Sequence, residues 1–348
     1  MSRAFRVLLA VCLLTLCLVS PLGAAPPYVI GVVYWSMAIP GQVAMRHGLE
    51  AAAAEINRSR PARPVRLIPF VGGDGETGIR NQIAAMARLV KLRPDAIILQ
   101  PIDSAALSKP VQEANRANIQ VVAYDQYVLK GKLACYLTSN NALAGYLDGE
   151  YLAYRFRART AKNPLRLVIV EYPYVSSTVE RVEGLQDALA DAGVPYRIVA
   201  RYEAVEPKGG FQAGRAIAKR HPRGSVDAVF CVNDGGGLSV MRALKEAGRD
   251  DILMATIDGD PAAVRTIAQG GPIAIDTAQF CGALGAESLR VTYRLLKGER
   301  IPKEILMTVF PITRESLGAY PGWGGVVPPV IRRPWPPHRQ VPGNLVRW

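Results

Sequence analysis

Short apolar runs alternate with longer amphipathic segments along most of the chain. The runs YVIGVVYW, VRLIPFVG, DAIILQP and VVAY are followed by ACYLTS, RLVIVEY, YRIVARY, DAVFCVN, DILMATID, IAIDTAQ and ILMTVF. Each run predicts a buried strand, and the segments between them carry apolar residues at helical spacing. Alternation of this kind is typical of parallel sheets covered by helices. About ten strands exceed one small sheet, so the pattern predicts an α/β protein with two similar lobes.

The passage after VVAY marks a change of direction in the chain. Asp125, Gln126 and Tyr127 follow this strand directly, and the next residues show no periodicity before ACYLTS. This pattern suggests that the chain leaves one lobe for another after Asp125. Because ligands of open α/β sheets bind at the carboxyl ends of strands, we expect a cleft with Asp125 on one wall.

Polar side chains recur where other predicted strands end. Asn233 precedes three glycines and an amphipathic helix, Asp258 and Gln279 end two later strands, and Arg181 lies early in a helix. These side chains offer donors and acceptors suited to a hydroxyl-bearing ligand, and the glycines let helix amides face the cleft. The GGG run lacks the lysine of a phosphate loop, and any one of these residues alone could be a cap or a surface residue. Together they predict a polar binding cleft.

Residues 1–24 have the pattern of a secretory signal peptide. A basic start at Arg3 and Arg6 is followed by an apolar run from Val7 to Val19 and by small residues up to Ala24. This run is shorter than the roughly 20 residues of a membrane span. We therefore expect export to the periplasm with cleavage after Ala24, and an uncleaved anchor is the alternative.

Charge and cysteine placement exclude several other classes of protein. The net charge of +13 comes from scattered basic residues, which favours a solvated basic surface; with no helix-turn-helix signal, nucleic acid is not an expected partner. Cys135, Cys231 and Cys281 lie in or beside apolar runs, so we expect buried free thiols. No cysteine or histidine spacing indicates a metal site, and no cofactor is predicted. No Ser/His/Asp ordering indicates catalytic residues, so the chain is not expected to be an enzyme.

The segment 326–348 is rich in proline and differs from the rest of the chain. Proline at this density excludes helix and central strand and favours extended chain. We expect the tail to lie across a lobe or to be partly disordered. The alternative is a strap that docks a partner through Trp335 and through Trp323, which lies just before this segment.

Six segments resemble periplasmic sugar-binding proteins of the ribose-binding type, in the same order along the chain. They are AIILQPIDSAAL, NIQVVAYDQ, TVERVEGL, VFCVNDGGGLSVMRALKEAG, ATIDGDP and DTAQ, and the similarity extends from Tyr28 to Phe310. The resemblance implies a type I periplasmic binding protein, with two Rossmann-like lobes that close on a ligand. It also implies three hinge crossings, near Ser139, Gln279 and Thr308.

The resemblance also assigns lobes and ligand-binding residues. Residues 25–138 and 280–308 are expected to form the N-terminal lobe, and 139–279 and 309–325 the C-terminal lobe. By motif position, the ligand-binding residues fall on Asp125, Arg181, Asn233, Asp258 and Gln279.

This chain departs from the family pattern at two places. The family's arginine after the strand-end aspartate is Gln126 here, and its first-loop asparagine and aromatic residues are replaced around Ile39-Pro40-Gly41-Gln42. Aromatic faces suit the C–H faces of a sugar ring, so aromatic residues elsewhere in the chain are candidates for this contact. They are Trp35 and Tyr172, with Tyr34 and Tyr127 as further candidates.

The function implied by the resemblance is solute capture. The protein would bind a small polar ligand, a sugar or polyol, and deliver it to an ABC transporter permease. The alternative is a periplasmic sensor that presents its ligand to a membrane histidine kinase or chemoreceptor. A transcription regulator with a similar core would need an N-terminal DNA-binding segment, and the expected signal peptide occupies that place.

Overall fold

The computed structural model describes residues 25–326, 328, 331, 333–337, 339 and 345–347. The strands, in chain order, are β1 (Tyr28–Tyr34), β2 (Val65–Val71), β3 (Ala96–Leu99), β4 (Gln120–Tyr124), β5 (Cys135–Ser139), β6 (Leu165–Glu171), β7 (Tyr196–Glu203), β8 (Ala228–Cys231), β9 (Leu253–Asp258), β10 (Ile273–Ala278), β11 (Glu304–Met307), β12 (Phe310–Ile312) and β13 (Leu345–Arg347). The helices are α1 (Pro40–Arg58), α2 (Gly75–Leu92), α3 (Ser108–Arg116), α4 (Asn141–Arg155), α5 (Ser176–Asp191), α6 (Pro207–Arg220), α7 (Asp234–Glu246), α8 (Pro261–Ala268) and α9 (Cys281–Leu296), with a 3₁₀ turn at Leu317–Ala319.

The strands form two separate sheets, one in each lobe. The first sheet has the order β13-β11-β5-β4-β3-β1-β2, and the second has the order β12-β10-β9-β8-β6-β7. Among the described strands, neighbours are parallel except for the pairs β11–β13 and β10–β12. Every residue of β3 and β8 is buried, as expected where helices cover both faces of a parallel sheet. The predicted class, two α/β lobes with mostly parallel sheets, is confirmed.

The chain passes between the two lobes three times within residues 25–326. The crossings lie between β5 and α4, between β10 and α9, and between β11 and β12. Two expectations from the strand pattern are wrong here. The chain does not leave the first lobe after Asp125, because β5 pairs with β4 in the first sheet. ILMTVF is not one strand, because it is divided between β11 and β12, which belong to different sheets.

The sequence pattern predicts a helix from Ser104 to about Arg116 and another that is capped by Thr77 and runs to Leu92, and both helix starts differ in the structure. Helix α3 begins at Ser108 rather than Ser104, because the Asp103 carboxylate accepts hydrogen bonds from the amides of Ala105 and Ala106 and holds a turn there. Thr77 does not cap α2, since it lies inside that helix. Competing local turns of this kind are not visible in the hydrophobic pattern.

Two glycine contacts bring helices of the same lobe unusually close together. A Cβ atom at Gly48 of α1 would overlap the carbonyl oxygen of Gly282 in α9. In the second lobe, a Cβ atom at Gly145 of α4 would overlap the carbonyl oxygen of Arg181 in α5. The second contact packs the backbone of Arg181, a predicted binding residue, directly against helix α4.

The described residues of the proline-rich tail contact both lobes. The Trp335 ring is 3% exposed and packs 5.2 Å from the Tyr151 ring, and its Nε1 atom donates to Glu150 at 2.7 Å. Arg333 donates to the same carboxylate at 2.8 Å. Further on, β13 adds an edge strand to the first sheet. Because Trp335 is buried in its own chain, its ring is not available for the partner contact considered above.

The remaining sequence expectations concern the amino terminus and the thiols. The expected signal peptide, residues 1–24, lies outside the described residues. No helix in the described ranges is long and apolar enough to cross a membrane. Cys135, Cys231 and Cys281 are all buried and free.

Candidate functional site

A small cavity lies between the two lobes, at the carboxyl ends of strands from both sheets. Its volume is about 20 Å³. Side chains from both lobes line it: Trp35, Ile39, Gly41, Gln42, Met45, Asp125, Gln126, Ser177, Thr178, Arg181, Val205, Asn233, Asp258 and Gln279. Every predicted binding residue is in this set except the aromatic candidates Tyr34, Tyr127 and Tyr172.

Asp125 forms the acidic group of the first lobe's wall. It follows β4 with a backbone φ of 65°, a left-handed conformation that is uncommon for residues with a Cβ atom. Its side chain is buried, and Oδ2 accepts hydrogen bonds from the Nε2 atoms of Gln42 and Gln100, each at 3.0 Å. The hydroxyl of Thr138 donates to the Asp125 backbone carbonyl at 2.9 Å and holds this turn. The strand end therefore presents a fixed carboxylate.

Asp258 and Arg181 form the charged part of the second lobe's wall. Nη1 of Arg181 lies 3.3 Å from Oδ1 of Asp258, and Nε2 of Gln279 donates to the same oxygen at 2.6 Å. Arg181 also donates through Nε to Asn141 at 3.0 Å and through Nη1 to the carbonyl of Val232 at 2.6 Å. Burial raises the pKa of Asp258 to about 6, although the charge of Arg181 and the Gln279 hydrogen bond oppose the shift. The carboxyl group is therefore mainly ionised at neutral pH.

Three more buried carboxyl groups lie behind Asp258. Burial raises the pKa values of Asp148, Asp234 and Asp276 well above the usual range, and charges of neighbouring carboxylates add to each shift. Asp276 accepts from the amide of Gly259 at 2.9 Å. These shifts favour the neutral form of each acid, so these three side chains add little negative charge near the cavity.

Two predicted residues use their polar groups within the protein. The Asn233 side chain accepts from the amide of Gly236 at 3.1 Å as the N-cap of α7 and donates to the Val205 carbonyl at 2.9 Å. The Gln126 amide donates to the hydroxyl of Ser177 at 2.8 Å and accepts from its backbone N–H at 3.2 Å. Gln126 thus joins the two lobes across the cavity in this arrangement.

Trp35 supplies the aromatic face of the cavity. The Tyr172 ring packs 6.1 Å from Trp35 at an angle of 37°, outside the set of residues that line the cavity. The Tyr34 hydroxyl lies 3.5 Å from Glu50, away from the cavity, and Tyr127 is exposed. Trp35 is therefore the one aromatic candidate that the structure places in the cavity wall.

The sequence analysis missed some residues that shape the site. Gln100 follows β3 directly, so the rule that identified Asp125 could have identified it too. Gln42 was noted only as part of an altered loop, and its contact with Asp125 depends on how α1 packs. Ile39 is buried between the lobes, since a Cβ atom on Gly235 would lie 3.0 Å from its Cγ2 atom. No sequence signal indicates that an apolar residue should lie there.

Comparison with known proteins shows the family. The model for the periplasmic binding protein domain matches residues 30–300, and the chain belongs to this family. It is 28% identical over 229 residues to the ribose import binding protein RbsB of Escherichia coli (strain K12), covering 66% of this chain and 74% of that protein. It is 24% identical over 254 residues to a xylitol-binding protein of Mycolicibacterium smegmatis, covering 72% of this chain and 70% of that protein.

Solved structures show the same fold. A galactofuranose binding protein superimposes with a TM-score of 0.75 at 20% identity, covering 84% of this chain and 97% of that chain. A Caulobacter myo-inositol binding protein gives a TM-score of 0.74 at 21% identity, covering 85% and 98%. The predicted resemblance to the ribose-binding type is confirmed. The matched proteins are binding proteins rather than enzymes, as the sequence analysis expected for this chain.

Proposed function

We propose that this chain is an exported solute-binding protein that closes on a small hydroxyl-bearing ligand, a sugar or a polyol. The observation that carries the proposal is the cavity between the lobes, where Asp125 faces the Arg181–Asp258 pair. Charged and amide side chains on both walls can exchange hydrogen bonds with several hydroxyl groups at once. Two relatives are named as a ribose import binding protein and a xylitol-binding protein, and these names support this ligand class.

The second part of the proposal is delivery of the ligand to an ABC transporter from the periplasm. The Escherichia coli relative is named a ribose import binding protein, which supports a role in uptake. The signal-peptide pattern of residues 1–24 supports export. An uptake assay with labelled ligand in cells with and without the gene tests this part.

Ligand entry requires the lobes to separate. The cavity of about 20 Å³ has room for about one water molecule, and a sugar is much larger. Hydrogen bonds between the lobes hold it shut: Gln126 bonds to Ser177, and the amide of Tyr127 donates to the hydroxyl of Ser176 at 3.1 Å. A ligand that adds contacts to both walls favours the closed state over the open one.

A thermal-shift screen of the mature protein against sugars, polyols, amino acids and small amines tests the ligand class. Binding to the native state alone raises the melting temperature, so the true ligand should do so in a concentration-dependent way. Small-angle scattering should then show a smaller radius of gyration at saturation. A screen in which only amino acids raise the melting temperature, or an unchanged scattering profile with a bound sugar, contradicts the proposal.

A further inference from the structure

The cavity walls carry hydrogen-bond acceptors that no donor among the described residues satisfies. The Oε1 atoms of Gln42 and Gln279 are buried and accept no hydrogen bond from the part of the chain that the structure describes. These side chains are 8% and 3% exposed, and both residues line the cavity. Within the same ranges, Oδ1 of Asp125 and Oδ2 of Asp258 accept no hydrogen bond either. Because unmet buried acceptors are costly, these walls favour a ligand rich in donors.

The orientation of both glutamine amides is fixed by the neighbouring carboxylates. Nε2 of Gln42 donates to Asp125 at 3.0 Å, and Nε2 of Gln279 donates to Asp258 at 2.6 Å. An ionised carboxylate only accepts hydrogen bonds, so turning either amide would place two acceptor oxygens together. The Oε1 atoms therefore remain the groups that a ligand can meet.

The same walls carry an excess of negative charge. Arg181 forms an ion pair with Asp258, at 3.3 Å between Nη1 and Oδ1. Asp125 has no ion pair with any described residue, and its Oδ2 atom accepts from two neutral amides. Gln126, which follows Asp125 directly, is neutral as well. Two carboxylates thus face a single guanidinium, which favours a ligand that carries a positive charge.

The cavity also has one N–H group, on Arg181, that can donate a hydrogen bond to a ligand. Nε and Nη1 of Arg181 donate to Asn141 and to Val232 and Asp258, but Nη2 donates to no acceptor among the residues described. A ligand hydroxyl oxygen can accept from this atom. The site thus favours a ligand that combines hydroxyl groups with a charged donor.

We propose that the ligand is an amino-substituted sugar or polyol whose ammonium group lies against Asp125 and Gln42. The inference rests on the proposed function, because it names the ligand class of the same cavity. An ammonium group brings three donors and one positive charge, so it satisfies Asp125 Oδ1 and Gln42 Oε1 and neutralises the carboxylate. The hydroxyl groups of the ligand then face Arg181 and Gln279. The Trp35 ring in the wall suits either a cation or the C–H face of a sugar.

Calorimetric titration with matched pairs of compounds at neutral pH tests the inference. The pairs are glucosamine with glucose, galactosamine with galactose, and 1-amino-1-deoxysorbitol with sorbitol. We expect at least one amine to bind about tenfold or more tightly than its neutral counterpart, as is typical of a charge-assisted hydrogen bond in place of a neutral one. This comparison uses the unmodified protein, so it does not depend on the folding of a variant.

Two aspartate-to-asparagine variants test which residue causes the preference for the amine over its neutral counterpart. Asp125→Asn keeps the shape of the side chain and removes its charge, so the preference for the amine should fall to within about threefold. Asp250→Asn makes the same chemical change at an exposed carboxylate, where the Asp250 side chain is 85% exposed, and should leave the preference intact. Circular dichroism of both variants confirms that the comparison is made on folded protein.

The outcomes separate this inference from the proposed function. If each neutral compound binds as tightly as its amine, the inference is wrong and the sugar or polyol function stands. If no compound of either kind binds, the inference is wrong, and the thermal-shift screen of sugars and polyols decides the proposed function separately. A preference that survives in Asp125→Asn overturns the contact assigned to the ammonium group.

Discussion

Asp125 and Asp258 both have a positive backbone φ angle, at the ends of two strands that belong to different lobes. Their φ angles are 65° and 141°, and both side chains line the same cavity. A residue with a Cβ atom held at positive φ costs of the order of 1–3 kcal/mol, and such residues cluster at functional sites. Each lobe therefore has a strained backbone at the aspartate that it places in the cavity wall.

This strain predicts a difference between two variants that both lack the Asp125 carboxylate. Asp125→Gly relieves the positive φ, whereas Asp125→Ala retains it, so the glycine variant should be more stable by about 1 kcal/mol. Urea unfolding of the two proteins measures the difference. Both should lose ligand affinity to the same extent. An alanine variant as stable as the glycine variant would show that the backbone at Asp125 is not strained.

The Arg181–Asp258 pair predicts strong coupling between two substitutions. Arg181→Met leaves Asp258 buried without a cation, which should lower the free energy of unfolding by about 3–5 kcal/mol. Adding Asp258→Asn removes the unpaired charge, so the double variant should recover at least about 1 kcal/mol of this loss. Urea unfolding at neutral pH measures both.

The matched control for this experiment is Arg242→Met. The Arg242 side chain is 63% exposed on α7, so the substitution should change stability by less than about 0.5 kcal/mol. A double variant in which the two single effects simply add would contradict the coupling.

The fold and half of the site could be predicted because both depend on local signals. Apolar runs specify buried parallel strands, and polar residues at their ends identified Asp125, Asp258 and Gln279. The contact between Gln42 and Asp125 joins residues 83 positions apart and depends on how α1 packs, which no local pattern encodes. The docking of Trp335 depends on Glu150, a buried carboxylate 185 positions away inside an apolar helix. Proline density predicted an extended tail but not this partner.

The buried acids predict a specific dependence of stability on pH. Burial raises the pKa of Asp148 well above its unfolded value of 3.8, so the native state binds a proton that the unfolded state has lost. The contribution of this group to the free energy of unfolding is fully present below the unfolded pKa and is lost as pH rises through the folded pKa. Asp148→Asn mimics the protonated acid, since Oδ1 accepts from Thr277 at 2.6 Å and Oδ2 has no protein donor in the described ranges.

Asp148→Asn should therefore gain stability relative to the wild type, by more than about 1 kcal/mol, between about pH 5 and pH 8. Thermal unfolding across this range measures the difference. Asp250→Asn is the control, because the Arg223 guanidinium holds the pKa of Asp250 below its usual value and this group does not titrate in the window. Parallel curves for the wild type and Asp148→Asn would show that Asp148 is ionised in the native state.

The tail is predicted to contribute to stability rather than only to extend the chain. Trp335→Ala removes a buried ring and its hydrogen bond to Glu150, which should cost about 3–5 kcal/mol in urea unfolding. Val326→Ala is the control in the same segment, because Val326 is 87% exposed and the change should be below about 0.5 kcal/mol. Equal stability of the two variants would mean that Trp335 does not pack on the second lobe.

The central claim is that a small ligand binds between the lobes against Asp125, Arg181 and Asp258. Calorimetric titration of the ligand from the screen into Asp125→Ala, Arg181→Ala and Asp258→Ala tests it most directly, with Lys245→Ala as a surface control. A charged hydrogen-bonding group contributes on the order of 1.5–3 kcal/mol, so each cavity variant should bind about 10- to 150-fold more weakly. The control should change affinity by less than about threefold. If all three cavity variants bind like Lys245→Ala, the ligand does not bind in this cavity.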